Sequence, residues 1–133
     1  MAVPELSDDE LRFLHETFDL ARFGHTTELA ERVDAGVPVN LTNDSGDTLL
    51  VLAAYHAHAE TVQALLDRGA DTTRVNDRGQ TALAAAVFRQ SAGTVTRLLA
   101  AGADPALGGR SALDVARFFE LPEMLELLEG RAR

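Results

Sequence analysis

One stretch of the chain returns in register further along, and this internal period constrains the fold more than any other feature of the sequence. Asn43-Asp44-Ser45-Gly46-Asp47-Thr48 recurs 33 places later as Asn76-Asp77-Arg78-Gly79-Gln80-Thr81. At the same offset Leu50 pairs with Leu83, Ala53 with Ala86, Val62 with Val95, Leu65-Leu66 with Leu98-Leu99, and Gly69-Ala70-Asp71 with Gly102-Ala103-Asp104. Chance copies do not hold register over so many positions. One step back, Gly36 falls under Gly69, Val33 under Leu66, Leu29 under Val62, and Gly24-His25 under Ala57-His58, giving a degenerate first unit. One step forward the offset is 30, with Gly109 under Gly79, Ser111 under Thr81, Leu113 under Leu83, Ala116 under Ala86, Leu125 under Val95 and Leu128 under Leu98. A fourth unit therefore follows a loop shortened by three residues. A fixed period of this length marks a stack in which each unit buries its apolar face against the next.

Within one unit, Thr48 to Tyr55 reads as a short helix opened by a hydroxyl cap. Glu60 to Arg68 reads as a second, with Val62, Leu65 and Leu66 on one face and Gly69 as its stop. Neither is long enough to persist alone, so each needs its neighbours. Asn43 to Gly46 and Asn76-Asp77 carry turn residues without helical periodicity. The expected architecture is all-α: about four helix-turn-helix units joined by extended turns, in a single domain over 1–133, with units near 7–42, 43–75, 76–107 and 108–130. Ser7 with Glu10 three residues on is a capping box, opening a first helix longer than the others through Leu11, Leu14 and Phe18. Glu120, Glu123, Glu126 and Glu129 give the last helix the polar outer face of a cap.

This pattern resembles the ankyrin repeat, a unit of about 33 residues whose consensus runs glycine, any residue, Thr-Pro-Leu-His, then Ala-Ala, Gly-His and Val-x-x-Leu-Leu-x-x-Gly-Ala-Asp. Gly46, Thr48, Leu50, Ala53-Ala54, His58, Val62, Leu65-Leu66 and Gly69-Ala70-Asp71 match it, and the resemblance spans Thr17 to Leu128. The chain departs from it at Thr48-Leu49-Leu50-Val51 and Thr81-Ala82-Leu83-Ala84, where the proline and histidine of the motif are missing. The resemblance implies a binding module with a concave groove, in which His25 and His58 bond backbone between units.

Composition removes whole classes of function. At 133 residues the chain has room for one domain, which excludes an enzyme built from separate cofactor and substrate domains. Twelve Lys plus Arg against 21 Asp plus Glu give a net charge of -9, the wrong sign for gripping phosphate backbones, so nucleic acid is not an expected partner. There is no cysteine, hence no disulfide and no thiolate ligand or nucleophile. Met1 to Glu10 lacks the charged and apolar regions of a secretory signal, and no run approaches the roughly 18 apolar residues of a membrane span. The expectation is a monomeric cytoplasmic protein.

His56-x-His58 beside Glu60 invites a metal-binding or regulatory enzymatic reading, yet further ligands at suitable spacing are missing. No serine sits in a strained elbow, and the glycines cap turns instead of cradling phosphate. No catalytic residue, metal ligand or cofactor is expected. The aromatics say more. Of six Phe and one Tyr, five fall within one residue of the same place in the period: Phe23, Tyr55, Phe88, and Phe118 with Phe119. The resemblance puts that place at the groove or its edge. Tyr55, Phe88 and Phe119 are expected to be exposed, whereas Phe23 and Phe118 are equally suited to filling space between units beside Ala53, Ala86 and Ala116. Arg22, Arg89 and Arg117 neighbour them, the composition of a binding hot spot.

Turn tips supply a second surface, with Asp44, Ser45 and Asp47, then Asp77, Arg78 and Gln80, then Arg110 projecting from successive units; Asn43 and Asn76 are ordinary turn residues. The expected partner-binding set is these tips with Tyr55, His56, Phe88, Arg89 and Phe119. Met1 to Thr42 holds nine acids and three arginines, so a protein partner bearing a basic patch is steered toward that end. The expected function is a non-catalytic adaptor, stabiliser or inhibitor; the alternatives are the His56/His58/Glu60 metal site and a structural homo-oligomer.

Overall fold

The computed structural model describes residues 6–130, so the reading of the chain start rests in part on residues outside that range. The described residues form α1 (Asp8–Phe23), α2 (Thr26–Asp34), α3 (Leu49–Tyr55), α4 (Ala59–Leu66), α5 (Ala82–Phe88), α6 (Ala92–Ala100), α7 (Ala112–Phe118) and α8 (Pro122–Gly130). They stack in two layers. α1, α3, α5 and α7 pack in sequence as the inner layer, α2, α4, α6 and α8 as the outer one, and each inner helix also packs on its own outer partner.

The inner helices start where their hydroxyl caps dictate. Thr48 accepts from the Val51 N–H, Thr81 from that of Ala84, and Ser111 from that of Asp114, each at 3.1 Å. Both threonines are buried, so these bonds hold the first turn of helices too short to form alone. Ser7 and Glu10 close the capping box that opens α1. Each outer helix follows a residue in the left-handed region: Gly24, Ala57, Gln90 and Glu120 share one place in the period. Glycine is required at the first of these, because a Cβ on Gly24 would stand 2.7 Å from the His58 ring of the next unit.

The core runs the length of the stack. Leu49 to Ala54 and Ala82 to Val87 are buried all round, since α3 and α5 each have an inner helix on either side and an outer helix behind. Runs of alanine at Ala53-Ala54 and Ala84 to Ala86 let those helices approach closely. Leu29, Val62 with Leu65, Val95 with Leu98, and Met124 with Leu128 fill the layer between inner and outer helices. Burying each such leucine contributes about 1.5–3 kcal/mol.

Successive turns are bonded to one another. The Asp77 N–H donates to the Ser45 carbonyl and the Arg110 N–H to that of Gly79, both at 3.0 Å. Gly46, at φ 75°, leaves room for this approach; a Cβ there would meet the Asp77 carboxylate at 2.8 Å. Outer helices are tied at the surface, where Arg68, just past the end of α4, forks onto Asp34 of α2 at 2.8 and 3.1 Å and holds that carboxyl below the usual carboxylate range.

Candidate binding face

The aromatic side chains gather because the period places them at the C-terminal ends of adjacent inner helices. Tyr55 and Phe88 stack with centroids 6.1 Å apart and planes 6° from parallel, Phe88 meets Phe119 edge-on at 5.6 Å, and Phe119 meets Phe118 at 4.9 Å. At the other end Tyr55 meets His56 at 5.2 Å, and His56 lies 6.4 Å from His58. The result is a continuous strip of rings across three units. Phe88 and Phe119 are 40% and 50% exposed.

One sequence expectation about these rings needs correction, and one choice left open is decided. Phe23 and Phe118 fill no space between units; at 67% and 80% exposure they are the barest of the aromatics. Tyr55, expected to be open, is half-buried, stacked on the Phe88 ring and with the Arg89 guanidinium 5.9 Å over its own ring. Phe23 stands apart from the strip, edge-on to the exposed His25 at 6.5 Å.

Backbone ties run beneath the strip. His58 Nε2 is 2.7 Å from the Arg22 carbonyl, the bond between units that the family resemblance implies. The third unit has Ser91 in place of histidine, and there Arg89 Nη1 donates to the Tyr55 carbonyl at 3.0 Å. Arg22 and Tyr55 are equivalent positions, so two different side chains satisfy the same helix-end carbonyl in successive units. Arg89 is thus first a tie and only its remaining donors face outward. His58 is similarly engaged, and among the described residues no group of three His, Asp or Glu is arranged to hold a metal ion. Glu60 is exposed at the start of α4.

At the turns, Asp44, Ser45, Asp77, Arg78 and Arg110 are exposed and Gln80 is half-buried. Asp47 is the exception: expected at a tip, it is 6% exposed, accepting from Asn76 Nδ2 at 2.8 Å with Arg78 Nη2 at 3.7 Å. The next unit pulls this carboxylate inward, which makes it a link between turns and removes it from the contact surface. Asn43 and Asn76 each accept two backbone N–H bonds within their own turn. A concave pocket of about 210 Å³ joins the turns to the strip, lined by Ser45, Asp47, Tyr55, His56 and Arg78 with Arg22 beside them. Phe88, Arg89, Phe119 and Arg110 do not line it.

Burial, reinforced by the nearby His58, Arg89 and Arg22, holds His56 below the ordinary histidine range. Because its folded pKa lies below the unfolded value of about 6.5, its neutral ring stabilises the fold above that pH. This contribution is lost as pH falls through the folded value. Proton NMR is expected to show His56 titrating lower than free histidine, and His56→Gln to flatten the acid-side decline in melting temperature.

A family model for ankyrin repeats, in three copies, matches residues 18–108. The chain belongs to the ankyrin repeat family. A Pseudomonas aeruginosa protein named as an ankyrin repeat protein is similar to it, 48% identical over 60 residues that make up 45% of this chain and 35% of that relative. The chain thus matches about a third of the relative's length. Ankyrin repeats are generally protein–protein interaction modules and typically lack enzymatic activity. The family match ends at Gly108, yet α7 packs on α5 and α8 on α6 as the earlier units pack, so the stack continues for a fourth unit. No described helix is long and apolar enough to cross a membrane.

Proposed function

We propose that this ankyrin repeat chain is a non-catalytic docking protein, an adaptor, stabiliser or inhibitor that acts as a monomer in the cytoplasm and holds one protein partner across the ring strip and the turn tips. The observation that carries this reading is the continuous array Tyr55–Phe88–Phe119–Phe118, which leaves three phenylalanines substantially exposed in a protein with only seven aromatic residues. Exposed aromatics cost solubility and are common in contact hot spots, where rigid rings bury much area with little loss of side-chain entropy. Phe88, Phe119 and the outward donors of Arg89 form the centre of the contact, with Tyr55 and His56 as its floor. Asp44, Ser45, Asp77, Arg78, Gln80 and Arg110 extend it along the turns.

Phe88→Ala tests this. The ring lies outside the buried core, so circular dichroism and the melting midpoint are expected to change little. Retention of partner from a lysate of the producing cells is expected to drop by tenfold or more, about the effect of a hot-spot truncation of 1.4 kcal/mol or above. A collapse of helicity would show that the ring is structural.

A further inference from the structure

The stack carries a second feature that the ring strip does not use. α3, α5 and α7 are seven residues long, whereas α1 has 16 residues. The face of α1 that carries Leu11, Leu14, Phe18 and Arg22 stands opposite the Thr42–Ser45 turn of the next unit, with an open groove of about 570 Å³ between them. The groove is lined by Leu6, Leu11, Leu14 and Phe18, and a smaller one of about 330 Å³ on the same helix is lined by Leu6, Phe13 and Leu14. Leu6, Leu11 and Phe13 are exposed, so apolar surface continues around this end of α1.

The rim is acidic. Asp19 and Asp44 border the larger groove together with His15 and Arg22, and Asp9 and Glu10 the smaller. Each nearby arginine occupies one oxygen of one acid, Arg12 on Asp9 at 3.2 Å, Arg22 on Asp19 at 2.7 Å, and Arg32 on Glu16 at 3.4 Å while lying 4.3 Å over the Phe13 ring, so the acids outnumber the cations at this end even after pairing. Residues 1–42 keep a net charge of -6 from nine acids and three arginines. We infer that the groove between α1 and the Thr42–Ser45 turn docks a basic amphipathic segment of a protein partner, its apolar side chains on Leu11, Leu14 and Phe18 and its Lys or Arg side chains against Asp44 and the second carboxylate oxygens of Asp9, Glu10 and Asp19.

The charge decides among occupants. A second copy of the chain meeting this face isologously sets one acidic unit against another, and an anionic lipid surface is repelled in the same way. A basic segment is attracted, and the apolar floor gives it an anchor that charge alone does not provide. The site shares only Asp44 and Ser45 with the surface proposed above, and it rests on the same reading of the chain as a protein-binding module.

The test uses the whole chain and two fluorescent model peptides, one with leucines at helical spacing and lysines opposite, the other with glutamates in place of the lysines. The lysine peptide is expected to bind, to shift amide resonances of Leu11, Leu14 and Thr42 to Ser45, and to weaken as salt rises. Leu11→Ser or Leu14→Ser is expected to reduce its affinity by about tenfold with circular dichroism unchanged. Asp19→Asn with Asp44→Asn is expected to reduce the salt dependence, and Phe88→Ala to have no effect. Failure of the lysine peptide to bind, equal binding of the glutamate peptide, or full affinity in both serine variants would overturn the proposal. So would self-association that Leu11→Ser abolishes, which assigns the groove to a second copy. Peptide binding lost in Phe88→Ala with shifts at Phe88 and Phe119 would also overturn it while leaving the ring strip in place.

Discussion

Leu98→Ala is expected to destabilise the fold by about 2–5 kcal/mol, lowering the melting midpoint on the order of ten degrees. Leu98 is fully buried on α6, which packs on α5 within its unit and on α4 and α8 either side. Truncation leaves a cavity that none of these helices closes without losing its own packing. In a stack stabilised by neighbour contacts, a defect in an internal unit weakens two interfaces at once, so the melt is expected to broaden as well as shift. Leu65→Ala, at the equivalent place one unit earlier, is expected to behave alike. Denaturant melts of both variants check this, and midpoints within a degree or so of the parent would contradict the register of the whole stack.

Asn76→Ala is the second large effect, on the order of 1–3 kcal/mol or somewhat above. Its side chain accepts from the Arg78 and Gln80 N–H groups at 3.0 and 2.9 Å and donates to the buried Asp47 carboxylate at 2.8 Å. Alanine leaves two backbone donors and a charged acceptor short of partners, and the charged group dominates the cost. Asn43→Ala is the internal comparison. Asn43 accepts the same two kinds of backbone bond, at 3.0 Å each, but reaches no carboxylate of an earlier unit. Its loss is expected to be clearly smaller, and equal losses would show that the Asp47–Asn76 link contributes nothing beyond turn geometry.

The fold was readable because its determinants are local and periodic. Thr48 and Thr81 mark helix starts, Gly69 and Gly102 stand past helix ends, and Val62, Leu65, Val95 and Leu98 sit at a spacing that only one helix face satisfies. Ser7 with Glu10 announced the long first helix for the same reason. The binding face was readable only in outline. The shared place of the aromatics in the period predicted that they would meet, but not which would stay bare, since that depends on how neighbouring units pack. Asp44 and Asp47 look alike in the sequence, and only the Asn76 side chain of the following unit separates an exposed carboxylate from a buried one. The role of Arg89 has its own signal in the sequence. With Ser91 too short to do what His58 does, the Tyr55 carbonyl needed another donor, and Arg89 is the nearest long side chain.

Site-specific photo-crosslinking tests most directly whether the ring strip is where a protein partner sits. A benzophenone amino acid is placed at Phe88, at Phe119, and, as the control, at exposed Thr96 on the outer helix α6. Irradiation in the producing cells is expected to trap the same protein from Phe88 and Phe119 and not from Thr96. Trapping from Thr96 alone, or from none of the three positions, would contradict that placement.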